Sequence, residues 1–224
     1  MNKRWEILPI DEKKQILLEK NLHISSSLAE ILTRKNLDEN SAKLFLNPTK
    51  IPYHDPFLLK DMEKACQRLL LALKNKEKIC IYGDYDVDGV SSTALLMTVF
   101  TKLGFNIDYY LPDRHSEGYG LHIESLQKLI PKYDLLITVD CGITALDEVD
   151  YAKDKIDMII TDHHLPREIL PDAFAIINPT QTQCNYPNKN LCGVGVAFKL
   201  CQGLYQSLNK DIHELENYLD IVAL

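Results

Sequence analysis

Residues 79–89 read ICIYGDYDVDG, an apolar run that breaks into three aspartates framed by two glycines. The helical pattern VSSTALLMTVF follows directly from Val90. A short, continuously apolar segment that stops at glycine and feeds a helix has the signature of a strand buried on both faces. Further along, the same pattern recurs. IDYYLP (107–112), LLITVD (135–140), MIITDHH (158–164) and AIINP (175–179) are short apolar runs, and helical stretches near 90–103, 122–130 and 145–153 separate the first four. Such alternation predicts an α/β fold, a doubly wound and mainly parallel sheet with helices on both faces. Three of the runs lead into acids: Asp84, Asp140, and Asp162 followed by His163. In an open parallel sheet all carboxyl ends lie on one edge, where ligands bind. Residues far apart in the chain are thereby expected at one site.

Asp84, Asp86 and Asp88 fall at alternate positions. In an extended continuation of the strand they share one side; in a turn they converge. Either way they repel one another and need cations. Gly83 and Gly89 are expected to let the backbone turn sharply, and the following helix to aim its N-terminus at the same region, a favourable place for phosphate. A solvated acidic turn is the competing reading, and the apolar strand leading into it weighs against that. A calcium loop of the EF-hand type fits poorly, because the twelfth position counted from Asp84 is Leu95 and not Glu. Asp140 alone is an ordinary cap or turn residue, and the His pair of TDHHLP alone says little. At three strand ends on one edge they form a metal-ligating pattern: Asp84, Asp86, Asp88, Asp140 and His163. Carboxylates with one or two imidazoles suit Mn²⁺ or Mg²⁺ better than zinc or copper. Two ions ~3.5–4 Å apart activate a bridging water and stabilise the attacking and leaving oxygens of a phosphoester. Asp140 is the natural bridge, His164 faces the scissile phosphate, and Asp162 orients an imidazole.

The 224 residues are 46% hydrophobic, enough for one sizeable domain and an accessory segment. The net charge of −7 includes the five acids Asp84, Asp86, Asp88, Asp140 and Asp162. Bound cations offset them, so the acidic total does not exclude a polyanionic substrate. No apolar run reaches the ~18 residues of a membrane span. MNKRWEILPIDEKK lacks the long apolar stretch of a secretory signal, so a cytoplasmic location is expected. The six cysteines form no C-x-x-C pair and are expected to be reduced and mostly buried. The separations among Cys184, Cys192 and Cys201 fit no usual zinc finger.

Residues 1–76 are expected to form a helical extension. ILPIDEKKQILLEKN, SSSLAEILTRKN and DENSAKLFLN each suit a short helix, with Asp11, Ser25 to Ser27 and Asp38 as caps. The proline-rich loop NPTKIPYHDPF follows. LLKDMEKACQRLLLALKNKEK then reads as an amphipathic helix with Leu59, Met62, Ala65, Cys66, Leu69 and Leu73 on one face. Residues 77–224 are expected to form the catalytic domain.

The trio GDYDVDG, VDCGIT and TDHHLP resembles the motifs of the DHH phosphoesterase superfamily, named for a triplet such as Asp162-His163-His164. NPTKIPYHDPFLLKDMEKACQRL, LPDRHSEGYGL and INPTQTQCNYPNKNLCGVGVAFKL resemble its RecJ branch, 5′→3′ exonucleases specific for single-stranded DNA. The likeness covers roughly residues 44–224. It implies metal roles for Asp84, Asp86, Asp88, Asp140 and His163, with His164 on metal or cleaved phosphate. It also implies a phosphate-holding role for Arg114, and close approach of the DNA strand at Gly193 and Gly195. A surface ion pair is the plainer reading of Arg114, and a helix start that of GVGV. Two Mn²⁺ or Mg²⁺ ions, single-stranded DNA, and repair proteins such as a helicase or single-strand-binding protein are the implied cofactors and partners. Members carry a further acid after a DIVALGTIAD-like segment, whereas this chain reads YLDIVAL and stops at Leu224. Asp220 precedes the apolar run and is a poor substitute. The catalytic domain is therefore expected to be truncated and, alone, incompletely metallated and weakly active. Two other readings stay open: a phosphoesterase for short oligonucleotides, cyclic dinucleotides or pyrophosphate, and a degenerate DHH domain that only binds.

Overall fold

The structure, a computed structural model, describes residues 9–47 and 52–224. The first residues of ILPIDEKKQILLEKN and residues 48–51 of the proline-rich loop lie outside the described part. Two compact units are present, divided between Tyr53 and His54.

In the first unit, α1 (Glu12–Leu22), α2 (Ser26–Arg34) and α3 (Glu39–Leu46) begin where oxygen side chains satisfy free amides. Asp11 accepts from Lys14 N at 3.1 Å, Ser25 from Leu28 N at 3.3 Å, and Asp38 from Ser41 N at 2.7 Å. Leu18, Ala29, Leu32 and Ala42 form its core.

The second unit runs α4 (Met62–Asn75), β1 (Lys78–Gly83), α5 (Val87–Leu103), β2 (Asn106–Tyr110), α6 (Ile123–Leu129), β3 (Leu135–Val139), α7 (Leu146–Ala152), β4 (Asp157–Thr161), β5 (Ala175–Ile177), α8 (Gly193–Ser207) and α9 (Leu219–Val222). All strand pairs are parallel, in the order β2-β1-β3-β4-β5. Cys80, Tyr82, Leu136, Met158, Ile160 and Ile176 pack with α6 and α7 residues on one face. Their strand neighbours, such as Ile79, Ile81, Ile137 and Ile159, point to the opposite face, where α4, α5 and α8 pack. From β1 the chain moves one way to β2 and then returns past β1 to β3. The carboxyl ends of β1 and β3 thus flank the point where strand order reverses, the place where such sheets bind ligands.

Two sequence expectations change. The compact unit that contains the sheet starts at His54, ahead of residue 77, because α4 is fastened to that unit by the residue before its start and by one at its middle. Asp61, before α4, accepts from Ile176 N at 3.1 Å. Arg68, buried on the apolar face of α4, donates to Asp157 at 2.6 Å and Glu77 at 2.7 Å. The second change is that α5 starts at Val87 rather than near 90. The three acids therefore do not share one turn: Asp84 ends the strand, Asp86 caps the helix, and Asp88 lies in its first turn.

Removing Arg68 leaves Glu77 without its partner at 17% side-chain exposure, while Asp157 is already 44% exposed. Arg68→Ala is expected to cost about 2 kcal/mol, below the range for a fully buried pair because one partner is solvated. Urea unfolding measures this, and Mn²⁺ affinity is expected to stay unchanged.

Candidate metal centre

Register builds the site. Gly83 lies opposite Val139, Val139 opposite Thr161, and Thr161 opposite Ile177. The next residue of each strand joins one row across the carboxyl edge: Asp84, Asp140, Asp162 and Asn178. The ladder continues into this row, with Asp140 N donating to Thr161 O at 3.0 Å and Asp162 N to Ile177 O at 3.1 Å. All four residues are buried. Asp140 adopts φ 60°, a left-handed conformation that costs energy in any residue but glycine and that gathers at functional sites.

The carboxylates differ in how they are satisfied. Neither oxygen of Asp84 has a hydrogen-bond partner of good geometry among the described residues, although it is buried. Asp86 is exposed and accepts from Gly89 N at 3.0 Å as the cap of α5. Asp88 accepts from the first amides of α8, Gly193 N and Val194 N, both at 2.6 Å. A helix N-terminus favours such a negative charge. Asp162 has partners on both oxygens: Oδ2 accepts from Ile143 N at 2.9 Å, and Oδ1 accepts from the amides of His163 and His164 at 2.7 and 3.1 Å. Oδ1 also meets His164 Nδ1 at 2.7 Å.

The two histidines diverge. His163 Nε2 lies 3.1 Å from Asp140 Oδ1 and 3.6 Å from Asp88 Oδ2. His164 gives Nδ1 to Asp162, and its Nε2 lies 3.2 Å from the hydroxyl of Tyr119, which donates to Asp140 O at 3.4 Å. Tyr119 sits between Gly118 and Gly120, both at positive φ, in the loop after β2. Asn178 Nδ2 donates to His164 O at 2.9 Å. Beside His164 opens a groove of about 650 Å³, lined by Tyr119, His122, Thr144, Arg167 and others.

Two sets of donor atoms converge closely enough to surround an ion: Asp84, Asp86 and Asp140, and Asp140, His163 and His164. Asp140 belongs to both. Asp88 belongs to neither and borders the second set through His163. Asp162 belongs to neither set, and its Oδ1 meets the ring of His164. Arg114 is exposed, forms no ion pair among the described residues, and packs over the Tyr85 ring with its guanidinium carbon 5.4 Å from the centroid. Tyr119, Asn178 and the α8 amides on Asp88 were not singled out from sequence. For Asn178 a signal existed, since INP follows an apolar run as VDC and TDH do.

The glycines have a different reason from the one expected. Neither Gly83 nor Gly89 has positive φ; a Cβ at Gly83 would meet Thr93 Oγ1 at 2.2 Å, and one at Gly89 would meet Asp84 O at 2.5 Å. Both permit close packing rather than a sharp turn. A Cβ on Gly193 would meet Asp140 Oδ1 at 2.6 Å, so this glycine makes room for the Asp140 carboxylate. Gly195 has only ordinary contacts, from 3.5 Å.

Burial pushes the Asp84 carboxyl above its usual range, against the pull of the Tyr85 and Asp86 amides. Burial likewise pushes Asp140 up to about 6, with His163 opposing and Asp88 and Asp86 adding to the shift. Burial would also raise Asp162, but the bonds from His164 and the amides outweigh it and hold it low. His163 is raised by its bond to Asp140, and His164 by its bond to Asp162. The Tyr119 phenol is raised, first by burial and then by the surrounding carboxylates, so it stays protonated and donates.

The family model for the N-terminal domain of the DHH family matches residues 78–224. The chain belongs to the DHH family. Among curated relatives it is 43% identical to the single-stranded-DNA-specific exonuclease RecJ of Bacillus subtilis over 215 residues, 95% of this chain and 27% of that protein. Its identity to the Escherichia coli RecJ is 42% over 178 residues, 74% of this chain and 31% of that one. The DHH chain thus spans less than a third of the length of these relatives. Of solved structures, exonuclease RecJ bound to manganese matches with TM-score 0.69 at 32% identity, covering 77% of this chain and 43% of that one. RecJ of Thermus thermophilus in complex with Mn²⁺ matches with TM-score 0.76 at 27% identity, covering 98% of this chain and 31% of that one. The expected parallel α/β fold is that of these DHH proteins.

Asp140→Asn is expected to abolish the rise in melting temperature that Mn²⁺ produces. In metal-free protein the same change is expected to stabilise. Asp140 titrates near 6 when folded and near ~3.9 when unfolded. The folded state therefore holds the extra proton between these values, and the cost of the buried charge grows with pH up to about 6. The melting temperature of the variant minus that of the parent is expected to climb across that window and level off above it. For the glycines, Gly193→Ala is expected to weaken Mn²⁺ binding at least ~10-fold by displacing Asp140, whereas Gly195→Ala is tolerated; calorimetry on both compares them.

Proposed function

We propose that this chain carries the catalytic centre of a divalent-metal-dependent exonuclease that hydrolyses single-stranded DNA from the 5′ end, in DNA repair and recombination. The observation that carries the proposal is Asp140, buried and shared by two donor sets. Buried Asp84, neither of whose oxygens has a hydrogen-bond partner of good geometry among the described residues, supports the fit of a cation there. Oxygen donors with one or two imidazoles suit Mn²⁺ or Mg²⁺, and the two similar RecJ structures are manganese complexes. Bound ions would supply an activated water and charge neutralisation at the phosphate.

The residues of the chain do the rest. Asp84, Asp86 and Asp140 would hold one ion, and Asp140 with His163 would hold a second, with Asp88 nearby. Asp162 keeps the His164 ring in one orientation, and His164 faces the scissile phosphate. When His164 carries both ring protons, Nδ1–H goes to Asp162 and Nε2–H to Tyr119, whose own proton goes to Asp140 O; the bonds form one consistent chain. Arg114, near the acidic loop, holds substrate phosphate by its guanidinium fork. The groove beside His164 seats a nucleotide, and Gly193 serves the strand only indirectly, through Asp140. A cytoplasmic place and partners such as a helicase or single-strand-binding protein accord with this role. Among the described residues no helix is long and apolar enough to cross a membrane.

The test uses the complete gene product containing this chain, with Mn²⁺ and 5′- or 3′-labelled DNA. Nucleotides are expected to leave the 5′ end of single strands, with duplexes and dinucleotides cut at least ~10-fold more slowly and chelator stopping the reaction. Preference for dinucleotides would replace the DNA reading with that of a small-substrate phosphoesterase; chelator-resistant hydrolysis would remove the metal.

A further inference from the structure

We infer that Asn178 is a positioning residue for His164, an assignment that rests on the metal-dependent reading above for its kinetic consequence but not for its geometry. Asn178 is the last member of the row across the carboxyl edge, one residue past β5, and is fully buried. A buried amide must use its donors and acceptors locally, and this one divides them between His164, which takes its donor, and Thr180, which its acceptor holds. Nδ2 donates to His164 O at 2.9 Å, while Oδ1 accepts from Thr180 N at 2.8 Å and Thr180 Oγ1 at 2.7 Å. Thr180 Oγ1 also reaches His164 O, at 3.3 Å. The neighbouring strand supplies the other hold, since Asp162 Oδ1 takes both the amide and the Nδ1 of His164.

These contacts fix His164 at complementary points. Asp162 sets the plane and tautomer of the ring; Asn178 sets the peptide that carries it. Regular structure ends at Thr161, residues 162–174 contain no helix or strand, and beyond His164 the side chains of Leu165 and Ile169 are 79% and 71% exposed. Without Asn178, the carbonyl of His164 loses its short bond, and no helix or strand C-terminal to it restrains the peptide until β5. The Asp162 bond alone leaves the backbone able to pivot. Outer partners of this kind shift activity or metal affinity by ~10–100-fold when removed.

The experiment pairs Asn178→Ala with His164→Ala in the complete gene product. Asn178→Ala is expected to lower kcat on single-stranded DNA about 10- to 100-fold with little change in KM, and to have less than about a twofold further effect in the His164→Ala background. An undiminished loss in that background would overturn the assignment, because it would show that Asn178 acts elsewhere. A reading independent of activity comes from carbon-labelled histidine NMR on metal-free protein. The His164 ring resonance is expected to move in Asn178→Ala while that of exposed His213 stays; an unmoved His164 resonance overturns the positioning role even if the protein hydrolyses nothing. Absence of Mn²⁺-dependent hydrolysis by the parent would instead count against the proposed function. If Asn178→Ala does not fold, Thr180→Val removes only the 3.3 Å hydroxyl contact and the hydroxyl bond to Asn178, and is expected to give the same pattern at smaller size.

Discussion

Two buried carboxylates on adjacent strand ends, Asp84 and Asp140, impose the constraint around which the site is built. Among the described residues neither is neutralised by a lysine or arginine, and burial raises both. An uncompensated buried charge is among the most costly features a fold can carry. The protein tolerates it by placing Asp140 against His163 and by closing α8 onto Asp88, so that a helix N-terminus faces the acidic cluster. The close fit of Gly193 against Asp140 and of Gly89 against Asp84 belongs to the same arrangement. Substituting side chains there would push the carboxylates apart and relieve the repulsion that a cation would otherwise exploit.

The sheet and the location of the site were legible because they depend on patterns of short range. Continuous apolar runs encode doubly covered strands, and the acids that terminate them sit on one edge whatever the details of packing. What was not legible depends on contacts between distant segments. The amides of Gly193 and Val194 reach Asp88 only because α8 packs along α5, and no spacing in the sequence expresses that. The membership of α4 in the sheet unit was hidden in the same way. Its apolar face was readable, but the partners of Arg68 are Glu77 and Asp157, brought together by strand register at the opposite edge from the site.

The GDYDVDG segment shows how local chemistry overrides a reading by position. Alternation placed its three acids in equivalent roles. In the structure, helix initiation separates them, since an aspartate before a helix is strongly favoured as a cap. Once Asp86 caps α5, Asp88 must turn with the first helical residues, while Asp84 stays with the strand. Three like residues thus acquire three environments: an unpartnered buried carboxylate, an exposed cap, and a carboxylate held by a second helix.

The same differentiation governs Asp162, His163 and His164. Hydrogen bonding separates the members of the triplet. Asp162 engages both oxygens, Oδ1 with two amides and a ring nitrogen and Oδ2 with the Ile143 amide. It therefore acts on the site through geometry. His163 and His164 diverge because His163 turns Nε2 to Asp140 while His164 gives Nδ1 to Asp162 and sets Nε2 beside Tyr119. A residue that satisfies itself internally can be precise about where it holds its neighbour, and one that is left unsatisfied can bind something else. Asp162 and Asp84, at equivalent positions on two strands of one sheet, stand at those two limits.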